Sequence, residues 1–266
     1  METEEGKRKK RSRGIYLLPN LFTTAALFAG FYAILAAVNG KFELASVAIF
    51  VAMLMDGLDG RVARLTKTQS AFGAEYDSLS DMVSFGLAPA LVVYIWALSD
   101  LGKLGWLAAF IYTASGALRL ARFNTQIGIA DKKYFQGLPS PSAAAIIAGG
   151  IWLGVDYEVS GESLNWVAAV LTTLTGLLMV SNFRYHSFKE IDFSGKVPFI
   201  ALVVVVVVLA IVQTHPPTVL FLLFLAYAIS GPVLTLTQLR KHREERSVTD
   251  QNGAPDQDSD DSGKAG

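Results

Sequence analysis

Four aspartates, Asp56, Asp59, Asp77 and Asp81, stand in the stretch DGLDGRVARLTKTQSAFGAEYDSLSD between residues 56 and 81. The first two are three residues apart and the last two four apart, spacings that put each pair on one face of a helix. Two neighbouring helices with a short connection would present these carboxylates to one another. Hard oxygen donors in that number suit Mg²⁺ or Mn²⁺, and the absence of cysteine removes the soft donors that favour zinc. Four carboxylates exceed what one Mg²⁺ usually draws from protein, so two ions are expected. A pair of such ions about 4 Å apart clamps a pyrophosphate and stabilises both the attacking and the leaving oxygen of an in-line displacement.

The neighbours of the aspartates fit a phosphate-bearing ligand. Gly57, Gly60 and Ala63 leave room for a group to approach the backbone, and Arg64 brings positive charge. Other readings stand beside this one. Small residues at such spacing equally serve helix packing. Arg61 and Arg64 could neutralise two aspartates in a salt-bridged hinge. Solvated loop carboxylates are a third possibility, one that does not account for the helical spacing.

The elements that must position these residues are apolar. The chain is 52% hydrophobic with mean hydropathy +0.40, and its apolar residues come in blocks. Each block is close to the ~20 residues that cross a ~30 Å hydrocarbon core as a helix. Eight spans are expected, near 21–38, 42–58, 78–98, 104–122, 142–156, 165–182, 197–213 and 218–237. The fifth is short, and the seventh contains VVVVVV at 203–208, where length and lipid-like composition favour helix over strand.

Net charge is zero, but the 23 basic residues are unevenly placed. KRKKRSR precedes the first span, and further basic residues follow the second, fourth, sixth and eighth: Arg61, Arg64 and Lys67; Arg119, Arg122, Lys132 and Lys133; Arg184, Lys189 and Lys196; Arg240, Lys241 and Arg243. By the positive-inside rule both termini and these connections are cytoplasmic. The fold class is therefore an all-α polytopic membrane helix bundle, with the aspartates at its cytoplasmic boundary. A carboxylate placed within the membrane costs about 3 kcal/mol on insertion scales, so a compensating cation is required.

Residues 1–14 read as a basic cytoplasmic tail, 15–240 as the membrane domain and 241–266 as a disordered polar tail ending in an Asp-, Ser- and Gly-rich run. KRKKRSR reads as a flank for lipid headgroups and not as a nucleic-acid arm, and the first span lacks an A-x-A-like cleavage site. His186, His215 and His242 fall in loops or the tail and read as uninvolved.

The pattern D-x-x-D-G-x-x-A-R-x8-G-x3-D-x3-D, filled by Asp56, Asp59, Gly60, Ala63, Arg64, Gly73, Asp77 and Asp81, resembles the signature of the CDP-alcohol phosphatidyltransferases. The resemblance implies a helical membrane enzyme, usually a homodimer, that moves a phosphatidyl group from a CDP-linked lipid to a small alcohol and releases CMP. It implies that Asp56, Asp59 and Asp77 are metal ligands, that Asp81 is both ligand and general base, that Gly60 and Ala63 make room for the nucleotide, that Arg64 lies near its phosphates, and that Gly73 opens the connection into the third helix. The chemistry is coherent: an alcohol is a poor nucleophile at neutral pH, and a positioned carboxylate that takes its proton contributes roughly 10²- to 10⁴-fold.

Three further stretches are similar to membrane-integral phosphatidylserine synthases: LLPNLFTTAALFAGFYAI at 17–34, DSLSDMVSFGLAPA at 77–90, and RLARFN with FQGLPSPSAAA at 119–124 and 135–145. That resemblance implies CDP-diacylglycerol as donor and L-serine as acceptor, while the compact loops and the absence of sterol- or organelle-address signals suggest a bacterial inner membrane, with the site on its cytoplasmic side by the positive-inside rule. Serine's carboxylate needs a cationic partner, for which Arg119 and Arg122 are candidates, with Asn124, Gln136 and Ser84 nearby. Each has an ordinary alternative. The arginines could snorkel to headgroups, Ser84 could pack helices, and Gln136 could precede a helix start. Asn20 and Thr23 are candidate contacts to the cytidine diphosphate, with Asn20 as a helix N-cap the competing reading. A transporter is the rival from another class, but its charges belong near the bilayer midplane. A membrane scaffold comes third.

Overall fold

The computed structural model describes residues 14–66, 68, 70–125, 134–186, 206–207 and 210–252. Among the described residues the fold is carried by the helices α1 (Gly14–Val38), α2 (Phe42–Thr66), α3 (Ala71–Leu101), α4 (Lys103–Thr125), α5 (Ser140–Asp156), α6 (Asn165–Val180) and α7 (Pro216–Asn252). Five segments of the described residues are long and apolar enough to cross a membrane: Leu18–Val38, Ala71–Leu101, Lys103–Thr125, Gly161–Val180 and Pro216–Thr237. The molecule is an all-α bundle of the kind that passes a membrane several times. The seventh expected span, 197–213, lies mostly outside the described residues.

The two remaining helices differ from the others for physical reasons. α2 carries the charged motif in its last turns. α5 is only 17 residues long and almost wholly buried, from Ser140 and Ala143 to Ile151 and Gly154. Its apolar residues face other helices, so its composition reports core and not lipid contact. Alanines at the contacts, among them Ala33, Ala37, Ala45, Ala52, Ala88, Ala144 and Ala148, let the helices approach closely.

Polar stitches fix the helix that matters most. Ser80 and Ser84 on α3 donate to the carbonyls of Thr23 and Ala26 on α1, at 3.1 and 3.0 Å. Pro89 has no N–H to give back along α3, and the carbonyl of Phe85, four residues earlier, instead accepts from Tyr112 Oη of α4 at 3.0 Å. Around these points, over Met82–Leu87 and again over Tyr94–Leu98, α3 winds in wide π turns before a 3₁₀ turn at Ser99–Leu101 closes it.

Three details go beyond the expectations. α2 does not stop near residue 58 but runs to Thr66, so Asp56, Asp59, Gly60, Ala63 and Arg64 share one helix. α7 continues to Asn252, so helix extends through the first part of the stretch assigned to a disordered tail. The bundle also includes a small antiparallel sheet, β1 (Tyr134–Gln136) with β2 (Arg184–His186), in which Phe135 pairs with Tyr185. It ties the segment before α5 to the segment after α6.

Candidate active site

The aspartates lie at one end of the bundle, where α2 ends and α3 begins. Ser70 caps α3, its Oγ accepting from the Gly73 amide at 3.0 Å. With that turn closed, Asp77 is carried back toward α2, and Asp56, Asp59 and Asp77 each bring a carboxylate oxygen within 4.8 Å of the others. Asp59 is buried, and its Oδ2 accepts from Thr23 Oγ1 at 2.8 Å. Asp81 stands beside these three and not among them: its carboxyl is in hydrogen-bond contact with Asp56 and faces both Asp77 and Arg119.

Like charges crowded this closely repel unless a cation sits among them. The donor set is all carboxylate oxygen, from two helices whose backbones are already fixed, and it fits a hard divalent ion such as Mg²⁺ or Mn²⁺. The solvated-loop reading fails, since all four aspartates are helical and none is exposed. The hinge reading is not supported either, because Arg61 and Arg64 both lie exposed on α2.

Gly57 and Gly60 bear on the choice between packing and access. Among the described residues, a methyl group built on either would meet nothing within 4 Å, so no described helix rests on them. Gly73 is placed otherwise than expected. It sits inside the first turn of α3, where an added Cβ would lie 3.1 Å from Ser70 Oγ and 3.5 Å from Asn20 Oδ1. Asn20 is therefore at the start of α3 in space, yet well inside α1 in sequence, and it is not an N-cap. One turn on, Thr24 Oγ1 lies 2.9 Å from Tyr76 Oη. Between α1 and α2, beginning beside Thr24 and Met55, runs an apolar groove of about 640 Å³ lined further along by Phe28, Tyr32 and Val51.

The residues expected to take the acceptor divide in two. Arg119 is buried, its Nη1 donates to Ser140 Oγ at 2.6 Å, and it faces Asp81. Arg122 instead spends its guanidinium on main-chain carbonyls: Val180, Met179 and Ser181 at the end of α6, and Gln136 in β1, at 3.2–3.4 Å. It caps α6 and anchors the sheet. Gln136 contributes that carbonyl while its residue remains exposed. Gly137 follows in the left-handed region at φ 77°, pressed so closely against the Met179 carbonyl that no Cβ fits. Ser84 is fully buried against α1, the packing alternative. Asn124 Nδ2 donates to Ser78 Oγ at 3.1 Å, one residue beyond Asp77.

Two aromatic residues near Arg119 escaped the sequence reading. Tyr227 of α7 lies within electrostatic reach of its guanidinium, and Tyr185 of β2 packs on Tyr227 with ring centroids 5.5 Å apart. Burial and the neighbouring phenol push the Tyr185 hydroxyl up to about 12, so it remains a donor at neutral pH, given to the Ala228 carbonyl at 3.0 Å. Neither tyrosine sits in a motif, and Tyr227 stands in the apolar first half of α7, so no local signal marks them. His215 lies at the opposite end of the bundle, 3.7 Å from Asp156. The side chains of His186 and His242 lie outside the described residues.

The described helices bring a carboxylate cluster and a buried guanidinium to one end of a bundle whose long helices are apolar enough to cross a membrane. The family model of CDP-alcohol phosphatidyltransferases matches residues 16–178, more than half of the chain, and the chain belongs to that family. It is 36% identical over 217 residues to the CDP-diacylglycerol--serine O-phosphatidyltransferase of Helicobacter pylori, covering 82% of this chain and 90% of that protein. It is 38% identical over 219 residues to the protein of the same name from Methanocaldococcus jannaschii, covering 82% and 94%. Over 178 residues it is 35% identical to the archaetidylserine synthase of Methanothermobacter thermautotrophicus, covering 66% and 72%.

Proposed function

We propose that the protein transfers the phosphatidyl group of CDP-diacylglycerol to L-serine, giving phosphatidylserine and CMP. The observation that carries this reading is the meeting of four carboxylates with a buried arginine at one end of the bundle. Asp56, Asp59 and Asp77, with Asp81, would hold one or two Mg²⁺ or Mn²⁺ ions. When bound, such ions supply the charge that offsets the pyrophosphate and the departing CMP.

This chain's residues do the rest. Thr23 holds the Asp59 carboxylate in place, and the open face at Gly57, Gly60 and Ala63 admits the nucleotide, with Asn20, Gly73 and Arg64 at its edge. The acyl chains lie along the apolar groove between α1 and α2. Asp81 accepts the proton of the serine hydroxyl as its oxygen bonds to the phosphatidyl phosphorus and the bond from that phosphorus to the CMP oxygen breaks. Arg119 takes the serine carboxylate. Serine is common to the names of all three relatives above while the lipid backbone is not, which favours serine as the acceptor here. Arg122 and Ser84 are left to structural work.

The alternation of basic residues supports an orientation with this end, and both chain termini, in the cytoplasm, and with eight spans in a cell inner membrane. A homodimer is part of the same reading. Labelled L-serine supplied to purified protein with CDP-diacylglycerol and Mn²⁺ is expected to give labelled aminophospholipid and equimolar CMP, both lost with EDTA. Product formed only from labelled glycerol phosphate, inositol phosphate or choline would overturn the acceptor; no CMP from any alcohol would overturn the chemistry and leave an ion-coupled transporter as the reading to test.

A further inference from the structure

Three residues that stand next to members of the aspartate site in the chain gather at the head of one groove. Thr24 follows Thr23, which holds Asp59; Met55 precedes Asp56; Tyr76 precedes Asp77. Thr24 and Met55 open the apolar groove between α1 and α2, and Tyr76 Oη lies 2.9 Å from Thr24 Oγ1. Beyond them the groove runs along Phe28 and Tyr32 of α1 and Val51 and Leu44 of α2, away from the carboxylates. The order is charge first, then hydroxyls, then hydrocarbon. A phosphatidyl group has the same order: phosphate, glycerol with its two ester carbonyls, alkyl chains.

The protons at this junction single out the phenol. Thr24 Oγ1 lies 2.7 Å from the Asn20 carbonyl and gives its one proton there. The contact with Tyr76 is therefore donated by the phenol, with Thr24 Oγ1 accepting. That O–H turns about its C–O bond to another acceptor without moving the ring, whereas the Thr24 proton is tied to its own helix. The ring itself is held: Phe72, one turn earlier on α3, stacks on it with centroids 6.0 Å apart and planes 16° from parallel. Thr24 also stands six residues into the span that begins at Leu18, about 9 Å along the helix. At that depth an ester carbonyl taken out of water needs a donor from the protein.

We propose that Tyr76 is a specificity-determining contact for the donor lipid: its hydroxyl, resting on Thr24, turns to an ester carbonyl of the glycerol backbone, and the site thereby distinguishes ester-linked from ether-linked CDP-lipids. This rests on the donor reading given above and adds the linkage that the site selects.

Purified protein with Mn²⁺ in mixed micelles is titrated with CDP-diacylglycerol and with a CDP-dialkylglycerol of matched chains, which lacks both carbonyls. The wild type is expected to bind the ester lipid about fivefold more tightly, the size of one hydrogen bond of about 1 kcal/mol. Tyr76→Phe keeps the ring on Phe72, raises the Kd of the ester lipid by that factor and leaves the Kd of the ether lipid unchanged, so the preference disappears. A merely structural phenol would shift both constants alike and keep their ratio, which overturns the proposal, as does a wild type without preference. Thr24→Val leaves the phenol its proton, and the ester preference persists; its loss would give the donor role to Thr24 and overturn the assignment to Tyr76. If both lipids bind but labelled serine gives no product, the acceptor reading falls alone and the two constants still decide for Tyr76. If neither lipid binds, the donor reading and this contact fall together.

Discussion

The site has two walls built in opposite ways. The aspartate wall comes from α1, α2 and α3, consecutive helices of which the last two carry aspartates three and four residues apart, and its supports are short hydroxyls: Thr23 on Asp59, Ser80 and Ser84 on the carbonyls of α1. The guanidinium wall gathers Arg119, Ser140, Tyr185 and Tyr227 from α4, α5, β2 and α7. Its pieces are joined by a caps-and-latches arrangement, with Arg122 closing the end of α6 and Tyr185 seated on α7. The first wall is a local motif that any chain can carry intact. The second exists only once the whole bundle has closed.

The comparison breaks most sharply at Asp81, the residue that faces both walls. Asp81→Asn is expected to lower kcat by roughly 10²- to 10⁴-fold, the range for a lost general base, with the helical circular dichroism unchanged; CMP release in detergent micelles measures it. Retention of more than a tenth of the activity would remove Asp81 from the proton-accepting role. Next comes the support of the aspartate wall. Thr23→Val takes away the donor to Asp59, and Mn²⁺ titration of activity is expected to shift by roughly 10- to 100-fold, with recovery at saturating metal. A titration that overlays the wild type separates Thr23 from the ion.

On the other wall the expected effects are on stability. Gly231→Ala drives a methyl group into the Tyr185 ring; overpacking of this kind costs about 1–3 kcal/mol, read as a lower Tm in a thermal-shift assay. An unchanged Tm means that Tyr185 is not seated as described. Smallest of all is Ser84→Ala, which gives up one buried donor to the Ala26 carbonyl, about 1 kcal/mol. Turnover and the KM for serine are expected to stay at the wild-type values; a raised KM would return Ser84 to the acceptor pocket.

How far the sequence reached follows the same division. The meeting of Asp56, Asp59 and Asp77 was legible because helical periodicity and a short connection suffice to bring them together, and the structure adds that α2 extends to Thr66 and that Asp81 stands beside the three, against Asp56. Thr23 reads in sequence as a candidate contact to the cytidine diphosphate; its distance of 36 residues from Asp59 hides the bond between them. Arg119 and Arg122 look alike in sequence, three residues apart at the end of one helix. One is buried facing Asp81 and the other is consumed by the carbonyls that end α6. The short apolar block at 142–156 gave no sign that α5 would be the buried centre, because lipid-facing and core-facing alanines read the same.

The sequence alone determined what depends on neighbours along the chain: an apolar helical bundle, a charged end, and a carboxylate motif whose spacing converts directly into a shared face. Tertiary structure decided what depends on packing between distant segments: the open face at Gly57 and Gly60, the fate of each arginine, and the arrival of Tyr227 from the last helix. The physical reason is that helix geometry is set by local hydrogen bonds and repeats predictably, whereas which side chains meet across a bundle is set by close packing, where a single small residue such as Gly231 decides whether two helices can hold a tyrosine between them.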